Sequence, residues 1–352
     1  MELPFDFNKP ATGKALVGMT AEIKSFVNSI IERKRGISLY SAPKSGKETL
    51  VQNALAQLKE QNFSFNFCEI DLFNIRCYED FIALFRSRMS ECCKNISSAS
   101  LIPFDIDTEF ISDKKVLDLP ETLAKDSDKP LIIYLKEFQN LHTIEDDLFT
   151  LDQLDKIWSK HTHVRYIISG SSVNVMKHIF EEKMLFYYIT DHIDIPVPER
   201  RPVRDYIVRT FLNRGRVIED SEAEMICDIT SCSMWYVNQI CSICHGCPAG
   251  FINNNLINQC RDLMLALHTP RFLQMMLDLT PNQINFVRAV LDGVNKFSSV
   301  DILEKYSLNS SANVFRIKDA LKKREIITFC KDDSAVFLDP LFKYWLKNYY
   351  FA

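Results

Sequence analysis

Apolar residues along the first half of the chain follow two rhythms that take turns. A helical spacing in "AEIKSFVNSIIERK" gives way to the short apolar run "GISLYS", and "KETLVQNALAQLKEQ" resumes the helical spacing at once. "FSFNFCEIDLF" reads as a second strand and "YEDFIALFRSRMSECC" as the helix after it. Residues from about Lys94 to Asp128 are weakly patterned, with Ser-, Asp- and Pro-containing pieces, and are expected to form an insertion or mobile connection. Two further apolar runs, "KPLIIYLKEF" and "VRYIISGSS", are separated by a helix-like segment that contains Trp158. Strands that are apolar throughout, alternating with helices, predict a parallel sheet covered on both faces.

After the strand-like "HIDIPVPE" the pattern changes to helices only: "PVRDYIVRTFLNRG", "SEAEMICDITS" and "WYVNQICSICHG", punctuated by Gly215 and Gly246. "LTPNQINFVRAVLDG" then opens with Thr280 at an N-cap and Pro281 at the first helical position, a strong helix start. Two shorter helices with Ser caps follow, and "IITFCKDDSAVFLD" reads as two strands around a polar turn. Three helices plus a hairpin is the order of a winged helix-turn-helix.

The turn after the first strand carries candidate chemistry. "ISLYSAPKSGKETL" has the order strand, small loop, Gly46-Lys47, helix, which is that of a phosphate-binding loop. Such a loop works because successive backbone N–H groups and a helix N-terminus converge on phosphate oxygens while a lysine reaches the outer phosphates. The residues that would surround the phosphates are Ser41, Ala42, Pro43, Lys44, Ser45, Gly46, Lys47, Glu48 and Thr49. An ordinary strand–turn–helix also carries "SGK" by chance; the flanking strand and amphipathic helix favour the functional reading. Ser41 stands where the motif has Gly and is expected to lose some freedom at positive φ. Glu48 stands where it has Ser or Thr. Thr49, one position on, is expected to face elsewhere.

Five segments, in order, resemble the archaeal-type P-loop ATPases of the AAA+/STAND group. "PFDFNKPATGKALVGMTAEIKSFVNSI" looks like the opening segment of that family, and "LIIYLKEFQNL" like its second nucleotide-site strand, which usually ends Asp-Glu-Phe-Gln. "YIISGSSVNVMKHIF" is similar to its sensor strand, with Ser171 at the sensor position. "SMWYVNQI" resembles its lid helix, with Ser233 and Met234 in place of a usual His-Pro. "FLDPLFKYWL" matches the Asp-Pro-x-Phe-x-x-Trp-Leu ending of its winged-helix domain. The resemblance implies a P-loop NTPase parallel-sheet core over residues 1–199, a helical lid over 200–268 and a C-terminal winged helix-turn-helix over 269–352.

In the resembling family the Asp of Asp-Glu holds a Mg²⁺ shell and the Glu polarises the attacking water. Lys136 occupies the first of these positions, while Glu137 keeps the catalytic one. Glu48 and Lys136 thus fall on the two groups that would hold one ion, and they are expected to form an ion pair in its place. Losing both should damage hydrolysis far more than nucleotide binding, since phosphoryl transfer depends on metal and positioned charge. The bland reading is a Lys136 that reaches solvent and a Glu48 favoured by the helix dipole.

Composition narrows the remaining possibilities. The 352 residues are 47% hydrophobic and 25% charged, enough to bury more than one core, and the net charge of −4 gives no global field for nucleic acid or anionic membrane. No secretory signal and no apolar stretch of about 18 residues is read, so eleven cysteines suggest reduced thiols and a cytoplasmic location. "CSICHGCP" contains haem-attachment and cluster-like spacings, with Cys227, Cys232 or Cys260 as a further ligand. Cys241, Cys244 and Cys247 spread over about two helical turns, however, so small buried residues are the preferred reading and no metal is expected. Arg316, Lys318, Lys322, Lys323 and Arg324 offer a basic helix, opposed by Asp332 and Asp333 in the wing turn; DNA binding is the weaker reading. Arg200, Arg201 and Arg204 lie where a γ-phosphate-sensing arginine could sit, although boundary arginines are more often ion-paired.

The expectation is a nucleotide-dependent switch holding ATP or ADP, with Mg²⁺ open and hydrolysis weak or lost. A protein partner or self-association is expected, and no membrane. The alternatives are a pseudo-ATPase interaction module and a DNA-binding transcriptional regulator.

Overall fold

The uninterrupted apolar runs become the inner strands of a parallel sheet. The structure, a computed structural model, describes residues 4–96, 112–144 and 150–352. The chain divides into two compact units. One comprises Met19–Pro43 and Lys47–Ile195. Its elements are α1 (Thr20–Ile31), β1 (Gly36–Tyr40), α2 (Lys47–Glu60), β2 (Asn66–Asp71), α3 (Tyr78–Ile96) and α4 (Asp113–Asp126). They continue with β3 (Leu131–Lys136), α5 (Leu151–Trp158), β4 (Val164–Gly170), α6 (Val173–Lys177) and β5 (Thr190–His192).

The strand order is β2-β3-β4-β1-β5, and every pairing is parallel. β1 and β4 are buried along their whole length, as is β3 up to Leu135. Edge strand β2 differs from the expected all-apolar type: Cys68 and Ile70 point inward, while Glu69 and Asp71 alternate outward. An edge strand has one covered face, and period two follows from that. The core on one face centres on Trp158, stacked on Tyr166 at 4.2 Å, with Phe81, Phe85, Phe138 and Phe186 around it.

The weakly patterned stretch from Lys94 to Asp128 is corrected in part. Residues 97–111 lie outside the described residues, but 113–126 form α4, a helix that buries Val116, Leu117, Pro120, Leu123 and Ala124. Glu121 ties it to the start of β4, accepting bonds from the Thr162 N–H (3.0 Å), the Thr162 hydroxyl (3.0 Å) and the His163 N–H (2.9 Å).

The second unit comprises Pro196–Ala352 with the chain before Met19 and the three residues Lys44–Gly46. Its elements are α7 (Arg200–Leu212), β6 (Val217–Ile218), α8 (Asp220–Thr230), α9 (Met234–Gly246), β7 (Phe251–Ile252) and α10 (Asn254–Leu277). After these come α11 (Pro281–Leu291), α12 (Val300–Lys305), α13 (Ser311–Lys323), β8 (Ile327–Phe329), β9 (Ala335–Phe337) and α14 (Pro340–Trp345). Thr280 and Gln283 make a reciprocal capping box at the start of α11. β8 and β9 pair antiparallel, completing the three-helix-plus-hairpin order of a winged helix.

Asp339 binds this unit together. It caps α14 through the Leu341 and Phe342 N–H groups and accepts from the Tyr236 hydroxyl of α9 (3.0 Å) and the Arg271 guanidinium of α10 (2.5 Å). No helix among the described residues is long and apolar enough to cross a membrane.

Candidate functional site

In a parallel sheet the loops at the carboxyl ends of the strands form the natural ligand crevice. β1 ends into the loop Ser41–Gly46, β3 into Glu137 and β4 into Ser171. Because β4 lies between β1 and β3, Ser171 is carried between the loop and Glu137.

The loop hands over directly to α2, which begins at Lys47. Its left-handed residues are Lys44, at φ 64°, and Gly46, at φ 105°. Ser41 has no positive φ, so the conformational penalty expected there falls on Lys44 instead. The Lys47 ammonium donates to the carbonyl oxygens of Ser41 (2.7 Å) and Ala42 (3.0 Å). Burial lowers its pKa to about 8, against the opposing pull of the Glu137 charge. Ala42, Ser45 and Glu48 are half-buried, Pro43 is exposed, and the Thr49 carbonyl accepts from Asn53 at 2.7 Å.

Glu48 and Lys136 are brought together, with Lys136 Nζ 3.2 Å from Glu48 Oε2. The pair has company that sequence reasoning missed. Lys136 Nζ is only 2.6 Å from Glu69 Oε1 and lies 5.2 Å from the centre of the Tyr134 ring. Glu48 also accepts from the Tyr134 hydroxyl (3.2 Å) and from Gln52 Nε2 (3.0 Å). Burial works to lower the Lys136 pKa, but Glu69 and Glu48 outweigh it and hold the ammonium above the ordinary lysine value. The outward alternation of "NFCEID" was the one available sign of Glu69. Its partner depended on the β2–β3 register, in which Glu69 faces Tyr134 and Asp71 faces Lys136.

Glu137 has a left-handed backbone, at φ 53°. Its carboxylate accepts from Ser171 Oγ (2.5 Å) and Gln139 Nε2 (2.6 Å), and Gln139 Oε1 accepts in turn from the Ser171 N–H (3.2 Å). Gly170 permits this closure, since a Cβ there would lie 2.7 Å from Gln139 Oε1 and 2.5 Å from the Met176 side chain. Gln139 is a further partner that sequence reasoning missed.

The remaining candidates lie elsewhere. Arg200 pairs with Glu224 (3.0 Å) and Asp228 (2.7 Å), Arg201 with Asp205 (3.9 Å), and Arg204 with Asp205, Asp220 and Glu224. Cys241 and Cys244 lie on the buried face of α9, and burial raises both thiol pKa values. No three His, Cys, Asp or Glu side chains among the described residues converge as a metal site. On α13, Lys318 donates to Asp333 of the wing turn (2.5 Å) and Lys323 pairs with Asp319 (3.0 Å). The centre of its outer face is Phe315, 74% exposed.

The residues do not fit a magnesium ion, because the two positions that would hold it carry an ammonium and a carboxylate already bonded to each other. They do fit a phosphate group, with a lysine at the first turn of a 14-residue helix beside a loop opened by Gly46.

No protein-family model matches the chain, and no curated protein matches it in sequence. Solved structures do. A Walker-type ATPase of Pyrococcus abyssi is 15% identical with a TM-score of 0.73, over 97% of this chain and 99% of its own. The ORC2 protein of Aeropyrum pernix, in ADPNP–ADP complexes, is 12% identical with a TM-score of 0.62, over 96% and 93% of the two chains. Cdc6p of Pyrobaculum aerophilum is 12% identical with a TM-score of 0.50, over 95% and 94%. At such identities the likeness is one of fold, and the chain has the fold of the archaeal AAA+ P-loop ATPases, with a parallel-sheet core, a helical lid and a C-terminal winged helix-turn-helix.

Proposed function

We propose that the protein is a nucleotide-dependent switch of the AAA+ type that binds ATP or ADP and hydrolyses it weakly or not at all. The observation that carries this reading is the Glu48–Lys136 contact of 3.2 Å directly beside Lys47. Lys47 and the loop backbone from Ser41 to Gly46 would hold the phosphates, and Thr49 follows in the first helical turn. Glu137 would keep any hydrolytic role and Ser171 would sense it, since the two side chains already share a hydrogen bond. The solved ADPNP–ADP complexes of the Aeropyrum pernix protein support nucleotide as the ligand class. With an ion pair where metal-holding groups would sit, the charge that phosphoryl transfer needs is missing.

The test is titration of labelled ATP and ADP onto the purified chain, followed by phosphate release under saturating nucleotide. Binding without release above the protein-free background is expected. Rapid Mg²⁺-dependent turnover would remove the reading, and so would failure to bind either nucleotide.

One observation favours the second reading, a pseudo-ATPase interaction module. The Lys47 ammonium is satisfied by the carbonyls of its own loop, and Lys136 by two carboxylates. The winged helix as a DNA reader has less support, because Lys318 and Lys323 are engaged with Asp333 and Asp319.

A further inference from the structure

We infer that Lys136 is a resident counter-cation, so that the phosphate loop takes nucleoside di- and triphosphates in their metal-free form. This rests on the nucleotide-binding reading above and goes beyond it by specifying the ionic form of the ligand.

The geometry supplies the reason. Glu48 follows Lys47 directly, so the ammonium that touches Glu48 Oε2 at 3.2 Å stands beside the first turn of α2, where a phosphate bound by Lys47 would lie. Lys136 is the last residue of β3, which fixes its backbone, and four rotatable bonds lie between that backbone and the charge. Its two carboxylate partners are 35% and 44% exposed, and pairs at such exposure are weak and easily exchanged. Glu48 does not need the lysine, since it keeps the Tyr134 hydroxyl and Gln52. Lys136 can therefore leave one carboxylate for a phosphate oxygen with no buried charge stranded. A divalent cation arriving with the nucleotide would meet that ammonium, a like charge in the same place.

Two consequences distinguish this site from a metal-dependent one. Magnesium becomes a competitor, because it sequesters the polyphosphate that Lys136 is to neutralise. An ammonium also brings one positive charge where a divalent ion brings two, so the γ-phosphate adds little affinity.

The experiment is calorimetric or fluorescence titration of ATP and ADP onto the full chain, first in EDTA and then in excess Mg²⁺. Affinity in EDTA is expected to be at least about tenfold higher than in Mg²⁺, with ATP and ADP within about threefold of each other. Lys136→Met should lower the EDTA affinity at least about tenfold and Lys136→Arg should retain part of it. Glu69→Gln removes the nearer competitor for the ammonium and should raise affinity in EDTA several-fold. This second variant keeps the test valid if Lys136→Met does not fold. Binding that strictly requires Mg²⁺ would overturn the inference and leave the switch reading standing. An unchanged or lowered affinity in folded Glu69→Gln would also overturn it. Binding in neither condition would remove both.

Discussion

The Lys136 ammonium lies nearer to Glu69, at 2.6 Å, than to Glu48, at 3.2 Å. Strand β2, an edge strand, therefore supplies the closer anchor, and Glu48 divides its carboxylate among Lys136, Tyr134 and Gln52. Glu48 can be replaced without leaving a buried charge alone. Glu48→Thr combined with Lys136→Asp recreates a hydroxyl and a carboxylate at the two positions. The double variant is expected to release phosphate from ATP at least about tenfold faster than the natural chain, and only with Mg²⁺. A steady-state phosphate assay with and without EDTA checks this, and a double variant no faster than the natural chain would mean that the Glu48–Lys136 pair does not limit hydrolysis.

In the proposed nucleotide site, Lys47 would set the pH dependence of binding. Its pKa of about 8 is depressed from the ordinary 10.5, first by burial, and a bound phosphate would restore the charged form. Below about pH 8 the lysine is already protonated and binding moves no proton through it. Between pH 8 and 10 nucleotide binding should take up close to one proton, and affinity should fall up to about tenfold per pH unit. Calorimetry in two buffers of different ionisation enthalpy measures the uptake. Lys47→Met should eliminate it while lowering affinity about a hundredfold.

Glu121 holds the base of the sheet, and its contribution should disappear in acid. Burial would raise its pKa, but the His163 side chain and the N–H groups of His163 and Thr162 prevail and lower it to about 2 from 4.5. A depressed carboxylate stabilises the fold above pH 4.5, and that stabilisation is lost as pH falls from 4.5 towards 2. Glu121→Ala should cost about 2 kcal/mol at pH 7 and much less at pH 3. Urea unfolding at the two pH values gives the difference directly.

Asp339 joins a helix cap to two long-range partners in one side chain. Asp339→Ala removes all of them and is expected to destabilise the C-terminal unit by about 2–4 kcal/mol. Asp339→Asn can still cap α14 but gives up the charge facing Arg271, so it should cost about 1 kcal/mol. Hydrogen exchange at Leu341 and Phe342, whose N–H groups the aspartate accepts, would report each loss locally.

Much of this architecture was legible because burial on both faces removes polar residues from a strand. "GISLY" and "LIIYL" can scarcely be anything but inner strands of a covered sheet. α4 escaped notice although its buried residues, Val116, Leu117, Pro120, Leu123 and Ala124, keep a helical spacing. Pro120 within the helix and the aspartates around it imitate a loop. The contact between Glu48 and Lys136 was readable because each stands at a motif position whose neighbour is known. Glu69 and Tyr134 stand at none. What brings them in is the pairing of β2 with β3, and a single residue of slip would turn Glu69 to the other face. The strain of the loop was likewise misplaced onto Ser41 because a motif specifies residue types, whereas φ belongs to the folded backbone.

The carboxylate of Asp339 has a mechanical meaning as well. Tyr236 on α9, Arg271 on α10 and the first turn of α14 all terminate on it, so two lid-side helices and the final helix share one anchor. Any shift of α9 or α10 against α14 would have to break or stretch a bond to this one carboxylate.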